Sequence, residues 1–499
     1  MSLSKTFNVS WMIGVTVILL AIARADTIAS ADVPIDGAST AGSFDRSEGD
    51  GAFRHLRALQ DIAEANGGNR AAGTPSYDRS ADYVAEKLRA AGYSVRFEEF
   101  EFPFFEVRTP AVLSTSKSDG RQEPAPASAL HTLRSSGSGD VTARLRGVNL
   151  DLGDAPPSVS NSGCEPNHFK DFERGAIALM RRGTCPFQAK VDNAIAAGAT
   201  GVVVMNQGTE GQVGNFSGRL NHPVAIPVVG VTYEVGRSLD LTAQADDGAR
   251  VRLAVDVLSG KRVTRNVLAD IASDRDGSLI VVGAHLDSVA EGPGINDNGS
   301  GSAAVLEAAL QFAKKPHQAG TRVRFGFWAA EENGLIGSRH HVASLSDQER
   351  SLIALYINLD MVASPNYGRF LLGQGAAGNA PAAVAQREFA AYFREHDLPV
   401  EERSGGNSGS DDASFSQKDI PTVSLYTGAG RPKPEVEASF FGGAAGRPYD
   451  PCYHLPCDTV DNINRDVLEQ HTQALVRALG AAAMNAQSTS APFQKAPEP

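Results

Sequence analysis

Five short segments in the second half of the chain combine histidine and carboxylate side chains in a pattern that can bind divalent cations. Three of them begin where an apolar, strand-like run ends, and they contribute His285, the Glu331–Glu332 pair and Asp360. Ligand sites form at the carboxyl ends of strands in an open parallel sheet, so we expect these side chains to share one crevice. Asp297 in a glycine-rich loop and His454 beside two cysteines complete the set.

Two histidines and three carboxylates suit zinc, whose catalytic sites use about three protein ligands and leave a position for water. Five ligands can serve two ions ~3.5–4 Å apart if one carboxylate bridges them. We therefore expect two Zn²⁺ ions per chain. The expected ligand sets share the short side chain of Asp297 as the bridge and are His285, Asp297 and Asp360 for one ion, and Glu332, Asp297 and His454 for the other.

The two adjacent glutamates are expected to divide their roles, because successive side chains of a strand or turn point in different directions. We expect Glu332 to bind metal, and Glu331 to act as the base that takes a proton from the water between the ions and passes it to the leaving amine. Asp287 is expected to accept the other imidazole N–H of His285. Four other histidines are expected to pack in the core or to lie on the surface, namely His222, His340, His341 and His471.

The composition is that of a globular protein. The chain has 499 residues, of which 42% are hydrophobic and 21% charged, and at ~100–200 residues per domain it has room for two to four domains. The formal net charge is −12, and no dense run of lysine and arginine occurs. A nucleic-acid partner would need a basic face, so we expect none.

The N-terminus has the features of a secretory signal peptide. Lys5 precedes an apolar run from Trp11 to Ile22, and Ala23-Arg24-Ala25 follows as a small-x-small cleavage pattern. The run is shorter than the ~20 residues that span a bilayer, although an uncleaved anchor is the alternative. We expect a signal peptide at 1–25, a flexible leader at 26–50, no stable membrane span after cleavage, and a secreted or periplasmic protein.

The four cysteines fall into two local pairs. An even number in an exported chain favours disulfides, and neither pair has the close spacing of a zinc site. The sequence does not fix the connectivity, but we favour bonds within each pair, Cys164 with Cys185 and Cys452 with Cys457.

Strand-like and helix-like segments alternate after Arg265, as in Leu279–Ala284, then Ser302–Lys314, then Ile353–Leu359. This alternation predicts an α/β fold with a mainly parallel central sheet and helices on both faces. Short strands and one helix between 141 and 257 predict a β-rich second module. The expected division is an N-terminal part and linker at 51–140, this module at 141–257, a catalytic part at 258–487 and a disordered tail at 488–499.

The metal-binding segments resemble, in order and type, those of the zinc aminopeptidase family that includes the secreted Streptomyces and Vibrio enzymes and yeast aminopeptidase Y. The resemblance covers residues 266–464 and 55–93 and includes Tyr453 directly before His454. It implies the zinc peptidase fold, two zinc ions and peptide substrates with a free N-terminus. It also implies that Glu331 is the general base and that the Tyr453 phenol stabilises the tetrahedral intermediate. One departure is Gly409, where Streptomyces-type enzymes carry an arginine before a Ser-Asp pair.

Residues 141–257 resemble a protease-associated (PA) domain. The resemblance rests on Ser162-Gly163-Cys164, Arg182-Gly183-Thr184-Cys185-Pro186-Phe187 and Gly201-Val202-Val203-Val204. It implies an insertion that flanks the active-site cleft, and we expect a lid or substrate-selecting module.

Other functions on the same fold remain open. A dizinc carboxypeptidase or dipeptidase would need a cation for the substrate's C-terminal carboxylate. A non-catalytic, receptor-like relative would have lost metal ligands, whereas all five are present. A glutaminyl-cyclase-like activity fits the second zinc and the PA domain less well. We expect a monomer.

Overall fold

A computed structural model describes residues 51–116, 121–152, 159–245, 249–271, 277–314, 322–375, 380–406 and 409–488. The predicted signal peptide at 1–25, the leader at 26–50 and the tail from 489 onward lie outside the described residues. Among the helices of the described part, none combines the length and apolar character needed to cross a membrane.

The α-helices of the described residues occur throughout the chain. In chain order they are α1 (Gly51–Ala65), α2 (Pro75–Ala90), α3 (Phe187–Ala197), α4 (Tyr233–Ala245), α5 (Gly301–Lys314), α6 (Ile336–Ser344), α7 (Asp347–Leu352), α8 (Ala380–Glu395), α9 (Asp412–Ser416), α10 (Glu435–Phe441) and α11 (Arg465–Ser488). Short helical turns lie at Ala127–Ala129, Pro166–Phe169, Ile295–Ser300 and Val460–Asn462.

The strands of the described residues form two sheets. In chain order they are β1 (Ser94–Ser116), β2 (Gln122–Pro124), β3 (Leu130–Thr132), β4 (Gly139–Ala143), β5 (Leu145–Gly147), β6 (Ile177–Arg181), β7 (Gly201–Met205), β8 (Val228–Val231), β9 (Arg250–Asp270), β10 (Leu279–His285), β11 (Arg322–Trp328), β12 (Ile353–Leu359), β13 (Phe370–Gln374), β14 (Glu401–Ser404) and β15 (Thr422–Tyr426).

The larger sheet has the strand order β14-β13-β15-β12-β10-β11-β9-β1-β2, with β4 paired to β9. Its centre, β15-β12-β10-β11, is parallel, and antiparallel pairs flank it on both sides. The predicted α/β class with a mainly parallel central sheet is therefore confirmed. The parallel strands run in one direction, so their carboxyl ends meet at one edge of the sheet.

Strand β10 lies at the centre and is buried along its whole length. Successive strand residues point to opposite faces. Ile280 and Val282 pack in the core to which α1, α2, α5, α8 and α11 contribute, whereas Val281 packs with Val342 of α6 and Phe415 of α9. Helices thus cover both faces, which explains why β10 is a continuous apolar run rather than an alternating one.

The smaller sheet has the order β3-β8-β7-β6-β5 and encloses separate apolar clusters with α3 and α4. It is joined to the larger sheet by the long antiparallel pair β1–β9. The predicted boundaries at 141 and 257 do not coincide with breaks in the strands. Strand β3 already belongs to the smaller sheet, β4 pairs with β9, and β9 continues through residue 257. Strand β1 extends to Ser116, within the part expected at 51–140.

The N-terminus of α5 lies directly against the end of β12. A Cβ atom on Gly301 would lie 2.3 Å from the carbonyl oxygen of Leu359, so only glycine permits this approach. Asn298 fixes the contact, because its side-chain amide donates to the Leu359 carbonyl at 2.9 Å and its oxygen accepts from the Met361 backbone N–H at 3.1 Å. The residues before α5 are thereby held beside the residues after β12.

Candidate metal centre

His285, Asp297 and Asp360 form one cluster at the carboxyl edge of the larger sheet. His285 is the last residue of β10, Asp360 follows β12, and Asp297 lies in the helical turn before α5. The His285 Nε2 atom is 3.3 Å from Asp297 Oδ1 and 3.4 Å from Asp360 Oδ1. All three residues are buried, and their ligand atoms are close enough to surround a single cation.

Asp297, Glu332 and His454 form the second cluster. The His454 Nε2 atom lies 3.0 Å from Asp297 Oδ2 and 3.4 Å from Glu332 Oε2. Asp297 therefore directs one carboxylate oxygen to each histidine, which is the arrangement that a bridging ligand requires. The structure brings all five expected ligand residues together in the two expected sets.

The donor atoms fit divalent cations. Asp360 Oδ1 and Glu332 Oε1 are buried, and neither has a hydrogen-bond partner among the described residues. Unpartnered buried carboxylate oxygens are costly unless a positive charge compensates them. Mixed imidazole and carboxylate donors are characteristic of zinc sites. These residues therefore fit zinc.

The electrostatics of the site favour positive charge at both imidazoles. Burial alone would lower the pKa of His285, but the carboxylates of Glu331 and Asp360 outweigh it and raise this pKa well above its usual value. Burial likewise opposes the charge on His454, yet hydrogen bonds to Asp297 and Glu332 raise its pKa to about 10. A divalent cation would lie in the same field and would displace the imidazole protons.

Glu331 is buried beside the two clusters without belonging to either. Its Oε2 atom lies 4.0 Å from His285 Nε2, which is an ion-pair distance and too long for a hydrogen bond. Burial raises the pKa of Glu331 well above its usual value, and the charges of Asp411 and Glu332 raise it further. Its position beside both clusters allows this carboxyl to exchange a proton with a group bound between them.

The side chain of Asp287 binds the backbone of the glutamate pair and not the His285 ring. The His285 Nδ1 atom lies 3.1 Å from the main-chain carbonyl of Asp287, whereas it is 3.8 Å from the Asp287 carboxylate. The carboxylate instead accepts the backbone N–H groups of Glu331 at 3.1 Å and Glu332 at 3.4 Å. Asp287 thus accepts the imidazole N–H through its main-chain carbonyl. Its carboxylate does not, because it accepts the backbone N–H groups of the loop after β11.

Arg70 is a buried residue of the site that the sequence did not reveal. It lies between α1 and α2, where Thr74 caps α2 by accepting the Tyr77 backbone N–H at 3.3 Å. Its guanidinium donates to the main-chain carbonyls of Leu286, Pro293 and Gly294. It thus joins the segment after His285 to the segment before Asp297. The only signal in the sequence is an arginine in a glycine-containing break between two helices.

Asp458 is the second such residue. Its carboxylate accepts the backbone N–H of Asn296 at 2.8 Å and of Asp297 at 3.0 Å. Burial, reinforced by the charge of Asp450, raises the pKa of Asp458 to about 7. Asp458 thereby fixes the turn that carries Asp297, the ligand shared by both clusters. Its position directly after Cys457 is the sequence feature that could have indicated this role.

His454 and Tyr453 lie in a short loop closed by a disulfide between Cys452 and Cys457, and a second disulfide joins Cys164 to Cys185. The Tyr453 ring stacks on the His454 ring with centroids 3.8 Å apart, and Tyr453 lines the same cavity as the two metal clusters. Burial raises the pKa of Tyr453, so its phenol stays protonated and can donate a hydrogen bond.

The cavity above the metal centre has a volume of about 440 Å³, which suits a short peptide. Gly409, at the position of the departure noted in the sequence, lines it. Asp411, two residues later, is fully buried, and both its carboxylate oxygens have no hydrogen-bond partner among the described residues. Burial raises the pKa of Asp411 to about 7. Its sequence context alone predicts no role for it.

The other histidines have packing or surface positions. His341 is buried with Nδ1 3.1 Å from Glu98, and His340 stacks on Phe100 with centroids 4.9 Å apart. His471 is buried in α11, and His222 has a side chain 59% exposed.

Comparison with known proteins agrees with this site. Residues 266–479 match peptidase family M28, and residues 148–239 match the PA domain. The M28 match includes all five residues of the two metal clusters.

Several similar proteins are named as aminopeptidases. An aminopeptidase of Pseudomonas aeruginosa is 40% identical over 89% of this chain and 85% of its own. An aminopeptidase from Aneurinibacillus sp. strain AM-1 has a TM-score of 0.66 at 26% identity, over 87% of this chain and 94% of that one. BSAP, a zinc aminopeptidase from Bacillus subtilis, has a TM-score of 0.63 at 25% identity, over 86% of this chain and 94% of that one. The chain therefore belongs to peptidase family M28, among relatives named as aminopeptidases, and contains a PA domain.

Proposed function

We propose that this M28 peptidase is a secreted aminopeptidase that hydrolyses the N-terminal peptide bond of peptides with the help of two zinc ions. The observation that carries the proposal is Asp297, whose two carboxylate oxygens face His285 and His454 separately and thereby join two three-residue clusters. The carboxyl of Glu331, which lies beside these clusters and belongs to neither, supplies a base. The zinc aminopeptidase among the structural relatives supports the choice of metal.

His285, Asp297 and Asp360 would hold one ion, and Asp297, Glu332 and His454 the other. When bound, zinc supplies a Lewis acid that polarises the scissile carbonyl and lowers the pKa of a water. The protein's contribution is to hold the five donors in place. It does so through Arg70 and Asp458 on the segments around Asp297, and through Asp287 on the loop that carries Glu332.

The reaction itself requires one proton transfer in each direction. Glu331 accepts a proton from the attacking water as the new C–O bond forms at the scissile carbonyl. It then returns that proton to the amide nitrogen as the C–N bond breaks, which releases a neutral amine. The protonated phenol of Tyr453, whose ring stacks on His454 in the cavity wall, donates a hydrogen bond to the oxygen on which negative charge develops.

The buried end of the cavity favours an amino group over a carboxylate. Glu331 and Asp360 are in the cavity wall, and Asp411 is a further buried carboxyl whose two oxygens have no hydrogen-bond partner among the described residues. The ammonium group of a free N-terminus would stabilise the charged forms of these buried carboxyl groups, whereas a substrate carboxylate would disfavour them further. This distribution of charge favours an aminopeptidase over a carboxypeptidase.

Export is part of the proposal. The two disulfides are typical of oxidising compartments, which agrees with the signal-peptide pattern at 1–25. We also propose that 51–140 and 258–487 build the catalytic part, and that the PA region at 141–257 acts as a lid or substrate-selecting module.

The test compares leucine p-nitroanilide with its N-acetylated form, using the full chain after export and after metal removal by a chelator. We expect hydrolysis of the free-amine substrate alone, loss of activity in the metal-free protein, and recovery on addition of zinc. Cleavage of the acetylated substrate at a similar rate would exclude an aminopeptidase. Full activity of the metal-free protein would exclude the zinc mechanism.

A further inference from the structure

Two arginines from the region of the smaller sheet reach the metal centre. Arg134 follows β3 and Arg219 precedes β8, and the two segments are paired, with the Arg134 backbone N–H donating to Gly218 at 2.9 Å. Both side chains extend to the loop after β11. Arg134 Nη1 donates to the Glu332 carbonyl at 2.8 Å, and Arg219 Nη1 donates to the Asn333 carbonyl at 3.0 Å. The PA region therefore touches the loop that carries the candidate base and a candidate ligand.

The two arginines differ in their surroundings. Arg134 is half-buried behind the loop, whereas Arg219 is exposed and lines the cavity. A Cβ atom on Gly334 would lie 2.8 Å from Arg219 Nη1, and Gly334 has φ +111°, so glycine at this position leaves room for the guanidinium. Among the described residues, no carboxylate forms an ion pair with Arg219. Most of its donors are therefore free to meet a ligand in the cavity.

The cavity is polarised. The acidic residues Glu331 and Asp360 line the wall on the side of His285 and the first metal cluster, while Arg219 lies beside Asn333, directly after Glu332 of the second cluster. A substrate whose ammonium group lies at the acidic side directs the rest of its chain toward Arg219. A dipeptide is only ~7 Å long, so its C-terminal carboxylate would still lie within this cavity.

We propose that Arg219 is a specificity-determining residue that binds a carboxylate in the leaving-group part of the substrate. This inference rests on the proposed aminopeptidase function and extends it to a substrate class. The carboxylate is the C-terminus of a dipeptide or an acidic side chain at the second residue, because a guanidinium binds either with two parallel hydrogen bonds. The PA region thus selects substrates through one side chain placed at the cavity mouth.

The experiment measures KM and kcat of the zinc-loaded full chain on Leu-Gly, Leu-Gly-amide and Leu-Glu-amide. The first and third carry a carboxylate in the leaving group, at the C-terminus and on a side chain respectively, and the second carries none. We expect KM to be about two- to fivefold lower for at least one carboxylate substrate than for Leu-Gly-amide, which is the range for an exposed ion pair. The substrate that shows the difference identifies which carboxylate is bound.

Arg219→Ala should abolish this difference, and Arg219→Lys should keep only part of it because an ammonium group cannot bind a carboxylate with two parallel bonds. Arg237→Ala is the matched control, since Arg237 is an exposed arginine of the same region on α4 and does not line the cavity. It should behave as the wild type on all three substrates.

The outcomes separate this inference from the proposed function. If the wild type cleaves all three peptides with equal KM, or if Arg219→Ala retains the preference, the inference is wrong and the aminopeptidase function stands. If Arg219→Ala slows all three substrates equally, Arg219 only supports the loop through Asn333, and the inference is again wrong. If the wild type cleaves none of them, the proposed function fails and the inference falls with it.

Discussion

The carboxylate of Asp287 lies 3.1 Å from the backbone nitrogen of Glu331 and accepts its N–H. Together with the bond from the Glu332 N–H at 3.4 Å, this contact connects the segment after β10, which ends at the metal ligand His285, to the loop that carries the candidate base. The His285 ring bonds to the main-chain carbonyl of Asp287 and not to its carboxylate. Asp287 therefore supports the ring with its backbone and the glutamate loop with its side chain. Substitution of the Asp287 side chain weakens the support of the loop and leaves the support of the His285 ring in place.

Asp287→Asn should therefore impair catalysis more than metal binding. Asparagine has a single side-chain oxygen and can accept only one of the two backbone N–H groups, while its amide nitrogen would face the other, so the loop with Glu331 would shift. We expect kcat at saturating zinc to fall by about 10- to 100-fold, the usual cost of losing a supporting contact of this kind. Zinc titration with activity measurement checks this. A lower zinc affinity with unchanged kcat would mean that the carboxylate supports the imidazole after all.

Glu331→Gln tests the assignment of the base. Glutamine has the same shape but cannot take up the proton, so we expect kcat to fall by about 10²- to 10⁴-fold while zinc content stays at the wild-type value. Glu234→Gln on the exposed face of α4 is the control and should match the wild type in both measurements. Loss of zinc from the Glu331 variant would instead show that Glu331 is a ligand and that its role and that of Glu332 are exchanged.

The shared position of Asp297 predicts unequal effects of ligand substitutions on metal content. His454 belongs to one cluster only, so His454→Ala should leave about one zinc ion per chain, whereas Asp297→Ala should weaken both sites. Metal analysis after gel filtration in zinc-containing buffer distinguishes these results. Equal metal contents in the two variants would contradict the bridging arrangement.

Much of the site follows from a simple sequence pattern. His285 and Asp360 could be placed together because each ends or follows a strand of the parallel centre, and such ends meet at one edge of the sheet. Their apolar strands are long enough to be recognised without any knowledge of their partners. The pairing of Asp297 with both histidines follows from its place in the turn before α5.

The supporting residues could not be predicted in the same way. Arg70 acts through main-chain carbonyls more than two hundred residues away, and such acceptors have no side-chain signature. Asp411 is a buried carboxylate whose charged neighbours His285, Asp360 and Asp287 are distant in the sequence. The boundaries of the smaller sheet were also inaccessible, because β1 and β9 are continuous strands whose two ends serve different cores.

A last prediction concerns stability and involves no residue of the metal centre. His471 is buried in α11, where its ring packs on Phe393 with centroids 5.2 Å apart and Nδ1 lies 2.8 Å from the Val467 carbonyl. Burial lowers the pKa of His471 to about 3 in the folded protein. The unfolded chain, with an ordinary histidine pKa of about 6.5, therefore binds a proton that the folded chain does not between these two values.

The sign follows directly. The free energy of unfolding is unaffected by this group above pH 6.5, and it decreases as the pH falls from 6.5 toward 3, because protonation stabilises the unfolded chain. His471→Asn keeps an N–H near Val467 but cannot titrate. Between pH 7 and pH 5 the wild type should lose ~2 kcal/mol more stability than this variant, as measured by urea unfolding of both metal-free proteins. His222→Asn, an exposed histidine, should lose as much as the wild type. Equal losses in the wild type and His471→Asn would show that the His471 ring is already protonated in the folded protein or reaches water there.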